Sequence, residues 1–298
     1  MNDILSQIIA YAPNKIDTET KARAMVQGPR NMYNQGQLVQ PNADGSRPGY
    51  NGDRKTVHLV RETGNPNHSG IYKTTNSGAN WTKVFTPENS PYNYPNVGTQ
   101  IKALTICPFD ENIVFAGIEI QGTDKGGLFV SEDAGSSWTQ VLLHASSGVN
   151  DVDVRDISFT NESGVNVAYV GVDYTGAGSG YSIYKVEQTT TGWSVSQDMS
   201  SSGTSSGSVI VVSINDLDYD HNSNTVYATG TDAGTNHPVS YYKPLGGTNL
   251  WSVNTSSGFP TSTANQIKQG KAIVNDGVNT LYCAVDHEIY YLTGGASS

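Results

Sequence analysis

The sequence predicts an all-β fold made of one unit repeated about five times, and three observations predict it. Each tryptophan follows an aromatic by nine residues, in the pairs Tyr72/Trp81, Phe129/Trp138, Tyr184/Trp193 and Tyr242/Trp251. Successive tryptophans are 57, 55 and 58 residues apart, and a fixed internal period marks a repeat architecture. Charged residues make up only 15% of the chain while 32 glycines break it up, and short apolar runs between turn residues read as strands. Four short strands per unit, repeated around a circle, make a β-propeller blade. The expectation is a single β-propeller of five blades, each a four-stranded antiparallel sheet, over residues 56–298. A mostly irregular N-terminal arm precedes it over residues 1–55.

In the arm, Asp3–Ala10 has helical apolar spacing and Thr18–Val26 reads as a second short helix. From Gly28 to Asp53 the chain is rich in Gly, Pro and Asn, the composition of an extended linker. An arm so poor in core residues needs something to lie on, either the propeller's own side or another subunit, and the second, in a homo-oligomer or a virion assembly, is the preferred expectation. The best-formed repeat follows later. Ile101–Ile106 is strand A, Ile113–Glu119 strand B, Leu128–Ser131 strand C and Trp138–Leu142 strand D, with a loop over 122–127. The other units align with it. Strand A starts near Val154, Ile214 and Ile267 in units three to five, and the fifth unit stops before strand D. The first unit has no clear strand A; its one candidate is Gln37–Gln40, which equally suits strand D of unit five.

Between strands C and D lie Thr74–Trp81 and Ser131–Trp138. These segments resemble the Asp-box, or BNR repeat, Ser/Thr-x-Asp-x-Gly-x-x-Trp. Asn76, Gly78 and Trp81 match it in the first unit, and Asp133, Gly135 and Trp138 in the second. The motif has a physical logic. The Asp or Asn side chain accepts backbone N–H bonds within a tight turn, Gly takes a backbone conformation closed to other residues, and the Trp ring packs between sheets. Trp193 and Trp251 keep the ring without the box. The resemblance implies a propeller akin to sialidases, xyloglucanase-type glycoside hydrolases, sortilin-type receptors and a photosystem assembly factor. It implies fold more than function, because one fold hosts many activities. The segment Asp44–Tyr50 is also similar to stretches of marine phage proteins, which implies a virion or cell-surface location.

Composition excludes several classes. The net charge of −10 offers no basic face for nucleic acid. No apolar run approaches the ~18 residues of a membrane span, and no secretory signal is visible. Cys107 and Cys283 lie in apolar runs and read as small buried hydrophobes. The histidines lack metal-ligand spacing and no phosphate loop opens a helix, so neither metal nor cofactor is expected. A sialidase needs an arginine cluster for its carboxylate substrate, and the repeats hold only Arg61 and Arg155.

Alternating strand directions put the D–A and B–C loops on one face and the boxes on the other, so the boxes are expected to be structural. On the loop face, strand B ends carry Glu119, Asp173 and Asp286, with Asp232 one step later in its unit. Strand A starts carry Lys102, Arg155, Asn215 and Lys268, followed by Asp156 and Asp216. Tyr92, Tyr94 and Tyr174 lie in long loops of the same face. Aromatic faces beside carboxylates suit sugars. The preferred reading is a non-enzymatic recognition or structural module that binds glycan or protein through this face. The alternative is a glycoside hydrolase using paired carboxylates among Asp156, Asp216 and Asp173. Asp151, Asp153 and Asp156 form an acidic stretch of the kind usually solvated in turns.

Overall fold

The computed structural model describes residues 33–34, 37–38, 57–58, 70–75, 79–86, 101–121, 124–141, 152–173, 181–200, 211–232, 237–246, 250–253, 269–277 and 280–293. The chain divides into two compact units, Met1–Arg54 and Lys55–Ser298. In the first, β1 (Tyr33–Asn34) pairs antiparallel with β2 (Gln37–Leu38). Gln37–Leu38 therefore finds its ladder partner inside the arm, not as strand A of unit one or strand D of unit five. The two expected arm helices lie outside the described residues.

The second unit is all-β among the described residues, and its strands pair in chain order. Blade one comprises β3 (Val57–His58), β4 (Ile71–Lys73) and β5 (Thr82–Phe85). Blade two comprises β6 (Ile101–Ile106), β7 (Val114–Gln121), β8 (Asp124–Ser131) and β9 (Thr139–Val141). Blade three comprises β10 (Asp153–Glu162), β11 (Val165–Asp173), β12 (Tyr181–Thr189) and β13 (Gly192–Ser200). Blade four comprises β14 (Val211–Asp220), β15 (Thr225–Asp232), β16 (Pro238–Pro244) and β17 (Ser252–Val253). Blade five has three described strands, β18 (Gly270–Asn275), β19 (Thr280–Val285) and β20 (Glu288–Thr293). Every pairing within a blade is antiparallel. A single pair, Asp173↔Ser213, joins blades three and four edgewise.

The core lies between blades, and this makes the fold a propeller. One apolar cluster joins Ile71 and Phe85 of blade one to Ile101, Ala116, Ile118 and Phe129 of blade two. A second joins Phe115, Leu128 and Val130 to Ile157, Phe159, Ala168 and Tyr184 of blade three. A third joins Tyr169 and Ile183 to Leu217, Val226, Tyr241 and Trp251 of blade four. A fourth joins Tyr227 to Ile273 and Leu281 of blade five. Blades two, three and four are apolar on both faces because each is covered twice, once by the blade before and once by the blade after. The tryptophans supply the seam. Trp138 lies 5.2 Å from Phe85, Trp193 4.8 Å from Phe115 and Trp251 6.1 Å from Tyr169, centroid to centroid. Each ring thus stacks on the preceding blade, and such pairs contribute about 0.5–1.5 kcal/mol beyond area burial.

Two boundaries differ from the sequence expectation. Residues 122–127 are not all loop: β7 and β8 continue to Gln121↔Asp124, so only 122–123 lie between the strands. Strand A of blade five begins at Gly270 rather than near Ile267, because its backbone pairs with Val285 from there. Close approach fixes two glycines. A Cβ on Gly117 would sit 2.3 Å from Val154 Cγ1, and one on Gly171 would sit 2.6 Å from Ile214 Cγ2.

The turn Ser131–Trp138 has the internal bonding that its sequence implies. Asp133 Oδ1 accepts from Ser136 N (2.8 Å) and Ser137 N (2.7 Å), and Oδ2 from Ser137 Oγ (2.7 Å). Gly135, at φ 85°, donates its N–H to Ser131 Oγ (2.7 Å). Burial is the largest single influence on the Asp133 carboxyl and pushes it up, but the hydrogen bonds from Ser137, Ser131 and Ser136 together outweigh it and hold the group down at about 2. Trp138 Nε1 donates to Gly135 O (3.2 Å). In the corresponding turn of blade one, Asn76 and Gly78 lie outside the described residues.

Candidate functional site on the D–A and B–C loop face

Strand A carries the same irregularity in four blades. The register skips Lys102, Arg155, Asn215 and Lys271 in blades two to five, each a bulged residue in the inner strand. A bulge re-aims a side chain and is a built feature, not a defect. Lys271, not Lys268, occupies this column in blade five, because β18 starts three residues later than expected; Lys268 lies outside the described residues.

The bulged cations of blades two and three meet the strand B ends. Lys102 Nζ lies 2.7 Å from Glu119 Oε2. Arg155 Nη2 lies 2.6 Å from Asp173 Oδ2 and 2.8 Å from Asp153 Oδ2. Asp153, in the acidic stretch expected to be solvated, is only 5% exposed. Strand β10 begins at this residue and pairs it with Asp173, which carries it indoors. Burial is the main force on its carboxyl. Arg155 and Lys102 pull against it, Asp173 and Glu119 push with it, and the group ends raised to about 6. The five side chains therefore form one electrostatic cluster of two cations and three carboxyls across blades two and three. Asp153 Oδ1 and Arg155 Nε are buried and have no hydrogen-bond partner among the described residues. Such orphaned polar atoms are uncommon and costly.

The remaining columns behave differently. Asn215 Nδ2 donates to Gly270 O (2.6 Å), bridging blades four and five. Asp286 Oδ1 accepts from Gln269 N (3.2 Å) within its own blade. Tyr92, Tyr94 and Tyr174 lie outside the described residues, as does the side chain of Asp232.

Asp156 and Asp216 come together, but not as the open pair that hydrolysis needs. Asp156 Oδ2 accepts from Leu217 N (2.8 Å) of blade four, and Asp216 Oδ2 from Ile273 N (2.7 Å) of blade five. Asp218 Oδ2 repeats the device with Asn275 N (2.6 Å). Burial raises both pKa values, and on Asp216 the adjacent Asp156 charge adds to it. Retaining and inverting glycosidases separate their carboxyls by about 5–5.5 Å and 6.5–9.5 Å. Asp156 and Asp216 each have a carboxylate oxygen committed to a backbone N–H of the next blade. Asp173 is held by Arg155. Asp156, Asp216 and Asp218 are staples between blades.

Sequence reasoning missed Asp153 and a second buried group. Lys243 is 2% exposed, and its Nζ donates to Asp198 Oδ1 (2.5 Å). Asp198 Oδ2 accepts from Trp251 Nε1 (2.6 Å). Its only sequence signal was a charge within an otherwise strand-like run. Cys107 and Cys283 are both free and buried. Among the described residues no helix is long and apolar enough to cross a membrane.

No family model matches the chain, and no curated protein matches it. Solved structures do. The GH74 xyloglucanase of Xanthomonas campestris is 15% identical over 76% of this chain, with a TM-score of 0.48. An ancestral GH74 enzyme is 17% identical over 86% of this chain, at 0.47. This chain spans about a third (34%) of each of those two enzymes. YCF48 bound to D1 peptide is 13% identical over 85% of this chain and 68% of that one, at 0.43. The class of the protein is an all-β propeller, carried by its own strand order and the apolar seams between its blades.

Proposed function

We propose that this is a non-enzymatic recognition or structural propeller of the Asp-box type, with five blades, that binds a polar ligand through the D–A and B–C loop face. The observation that supports it is the Lys102–Glu119–Asp153–Arg155–Asp173 cluster. A purely structural cluster satisfies its own polar atoms. This one leaves a carboxylate oxygen and a guanidinium N–H buried and unpaired, and it lies on the face opposite the box turns. A donor and an acceptor side by side suit a hydroxyl-bearing ligand, and a glycan is the ligand class we favour. A protein ligand is the other occupant of the same face. The location we favour is a virion or cell surface, with the arm as an assembly element.

The hydrolase reading loses support from the commitment of Asp156 and Asp216 to backbone N–H groups of the next blade. A glycan array with the wild-type chain and the Lys102→Gln and Arg155→Gln variants tests the proposal. The expected outcome is binding without turnover, lost in both variants. Turnover would return the hydrolase reading. Neither binding nor turnover would sink the glycan reading.

A further inference from the structure

The Lys102–Glu119–Asp153–Arg155–Asp173 cluster is one positive charge short when its carboxyls are ionised, because two cations face three acids. The shortage falls on Asp153. Lys102 lies against Glu119, while the single Arg155 Nη2 lies against both Asp153 and Asp173. Asp153 is also the deepest of the five, with its side chain 7% exposed against 14% for Glu119 and 19% for Asp173, and Arg155 is the most open at 31%. Among the described residues, the charged groups that act on Asp153 are Arg155 on its own strand, Asp173 of β11, Glu119 of β7 and Lys102 of β6.

A proton on Asp153 balances the cluster. Oδ2 is engaged by Arg155, so the proton goes to Oδ1, a buried oxygen with no hydrogen-bond partner among the described residues. That turns an acceptor into a donor. Arg155 Nε is a buried donor in the same position, and its guanidinium then answers to one carboxylate in place of two. The acid form thus offers donors and a less committed cation, the complement of the two oxygens of a carboxylate. The form with Asp153 ionised has a surplus negative charge, on a chain whose net charge is already −10, and repels the same group.

We infer that the cluster is an acid-gated site for a carboxylate-bearing glycan, a uronic-acid oligosaccharide, with Arg155 and Lys102 as its contacts and Asp153 as the gate. The inference rests on the glycan reading of this face and adds the charge of the sugar and the condition under which it binds. The Asp153 carboxyl, raised to about 6 chiefly by burial, changes charge between pH 5 and 7. A sugar carboxylate of ordinary acidity stays ionised over the same range, so the gate lies on the protein and not on the ligand. Apparent affinity scales with the fraction of the competent form, and the protonated fraction falls about tenfold from pH 5 to 7.

Isothermal titration calorimetry of the full chain with trigalacturonate, and with the neutral trimer galactotriose, tests this at pH 5 and 7. Trigalacturonate is expected to bind about tenfold more tightly at pH 5, and more tightly there than galactotriose. Asp153→Asn carries the balanced charge at every pH, so it is expected to bind trigalacturonate at pH 7 as the wild type does at pH 5. That gain of binding cannot come from misfolding. Equal wild-type affinity at the two pH values overturns the inference. So does a rise in acid that persists in Asp153→Asn, which would place the titrating group elsewhere. Galactotriose bound as tightly as trigalacturonate at pH 5 overturns the carboxylate and leaves the glycan reading standing. Failure of both trimers at both pH values also overturns it, while the glycan array decides separately whether the face binds any sugar.

Discussion

Replacing Asp198 by alanine strikes the seam between blades three and four. Lys243 is 2% exposed, and its ammonium lies 5.1 Å above the Tyr169 ring and 6.0 Å from the Trp251 ring. The Asp198 carboxylate lies beside it, at 2.5 Å, and is also the acceptor for the Trp251 indole N–H. Removing one partner of a buried ion pair costs about 3–5 kcal/mol, because the other charge is left uncompensated. The ring faces return about 0.5–2 kcal/mol of that by cation–π attraction. An unpaired indole N–H adds about 1–3 kcal/mol. The net expectation for Asp198→Ala is a loss of about 3–5 kcal/mol in denaturant unfolding at neutral pH. Lys243→Met alone should cost less, because Asp198 is 12% exposed and keeps the indole bond. The double variant Asp198→Asn/Lys243→Met should approach wild-type stability, since replacing both charges of a buried pair is often neutral. A double-mutant cycle in urea, with the far-UV signal and Trp fluorescence followed together, measures the coupling. A loss below about 1 kcal/mol for Asp198→Ala would refute the account and mean that water reaches Lys243.

Acidity should act on the same seams. Asp153, Asp156 and Asp216 all have folded-state values above their ordinary 3.8, so the folded chain holds protons that the unfolded chain releases. Their contribution is full below about 3.8 and shrinks as pH rises, for Asp153 through about 6, while Asp133, held down at about 2, opposes this only in stronger acid. Melting temperature should therefore peak near pH ~4–5 and decline toward neutrality, and Asp216→Asn should flatten the decline while keeping an acceptor for Ile273 N. Melting curves that rise steadily from pH 5 to 8 would contradict this. Gly117→Ala should cost about 1–3 kcal/mol by overpacking, because its Cβ would meet Val154 Cγ1 at 2.3 Å. Val154→Ala in the same chain should recover part of it, and no recovery would show that the strain lies in the backbone.

The tryptophan period and the turn chemistry made the sheets legible, because a 2.0 periodicity in short runs and a fixed Trp offset are local signals. Ile101–Ile106 as strand A follows directly from the pattern IKALTI between Gln100 and Cys107. The site was only half legible. Lys102, Glu119, Arg155 and Asp173 could be lined up by column, since bulge and strand end recur at fixed places in each blade. Asp153 could not, because its burial depends on where β10 begins, and nothing local distinguishes that from a solvated acidic turn. The roles of Asp156 and Asp216 were equally hidden. A carboxylate at a strand start looks the same in sequence whether it faces a ligand or the backbone of the next blade, and that choice is set by inter-blade register.

The loss of the box in blades three and four also follows from inter-blade contact. In blade two the Trp138 indole N–H is satisfied inside its own turn, by Gly135 O. In blade three the Trp193 N–H goes instead to Glu132 Oε1, which sits in the box turn of blade two at 3.1 Å. In blade four the Trp251 N–H goes to Asp198 of blade three. The ring stays in the seam while its polar atom changes partner from the turn below it to the blade before it. Once that exchange has happened, the Asp and Gly of the box no longer serve the tryptophan. The turn is then free to diverge, as Val186–Trp193 and Pro244–Trp251 have. The seam, not the turn, is therefore what the repeat preserves.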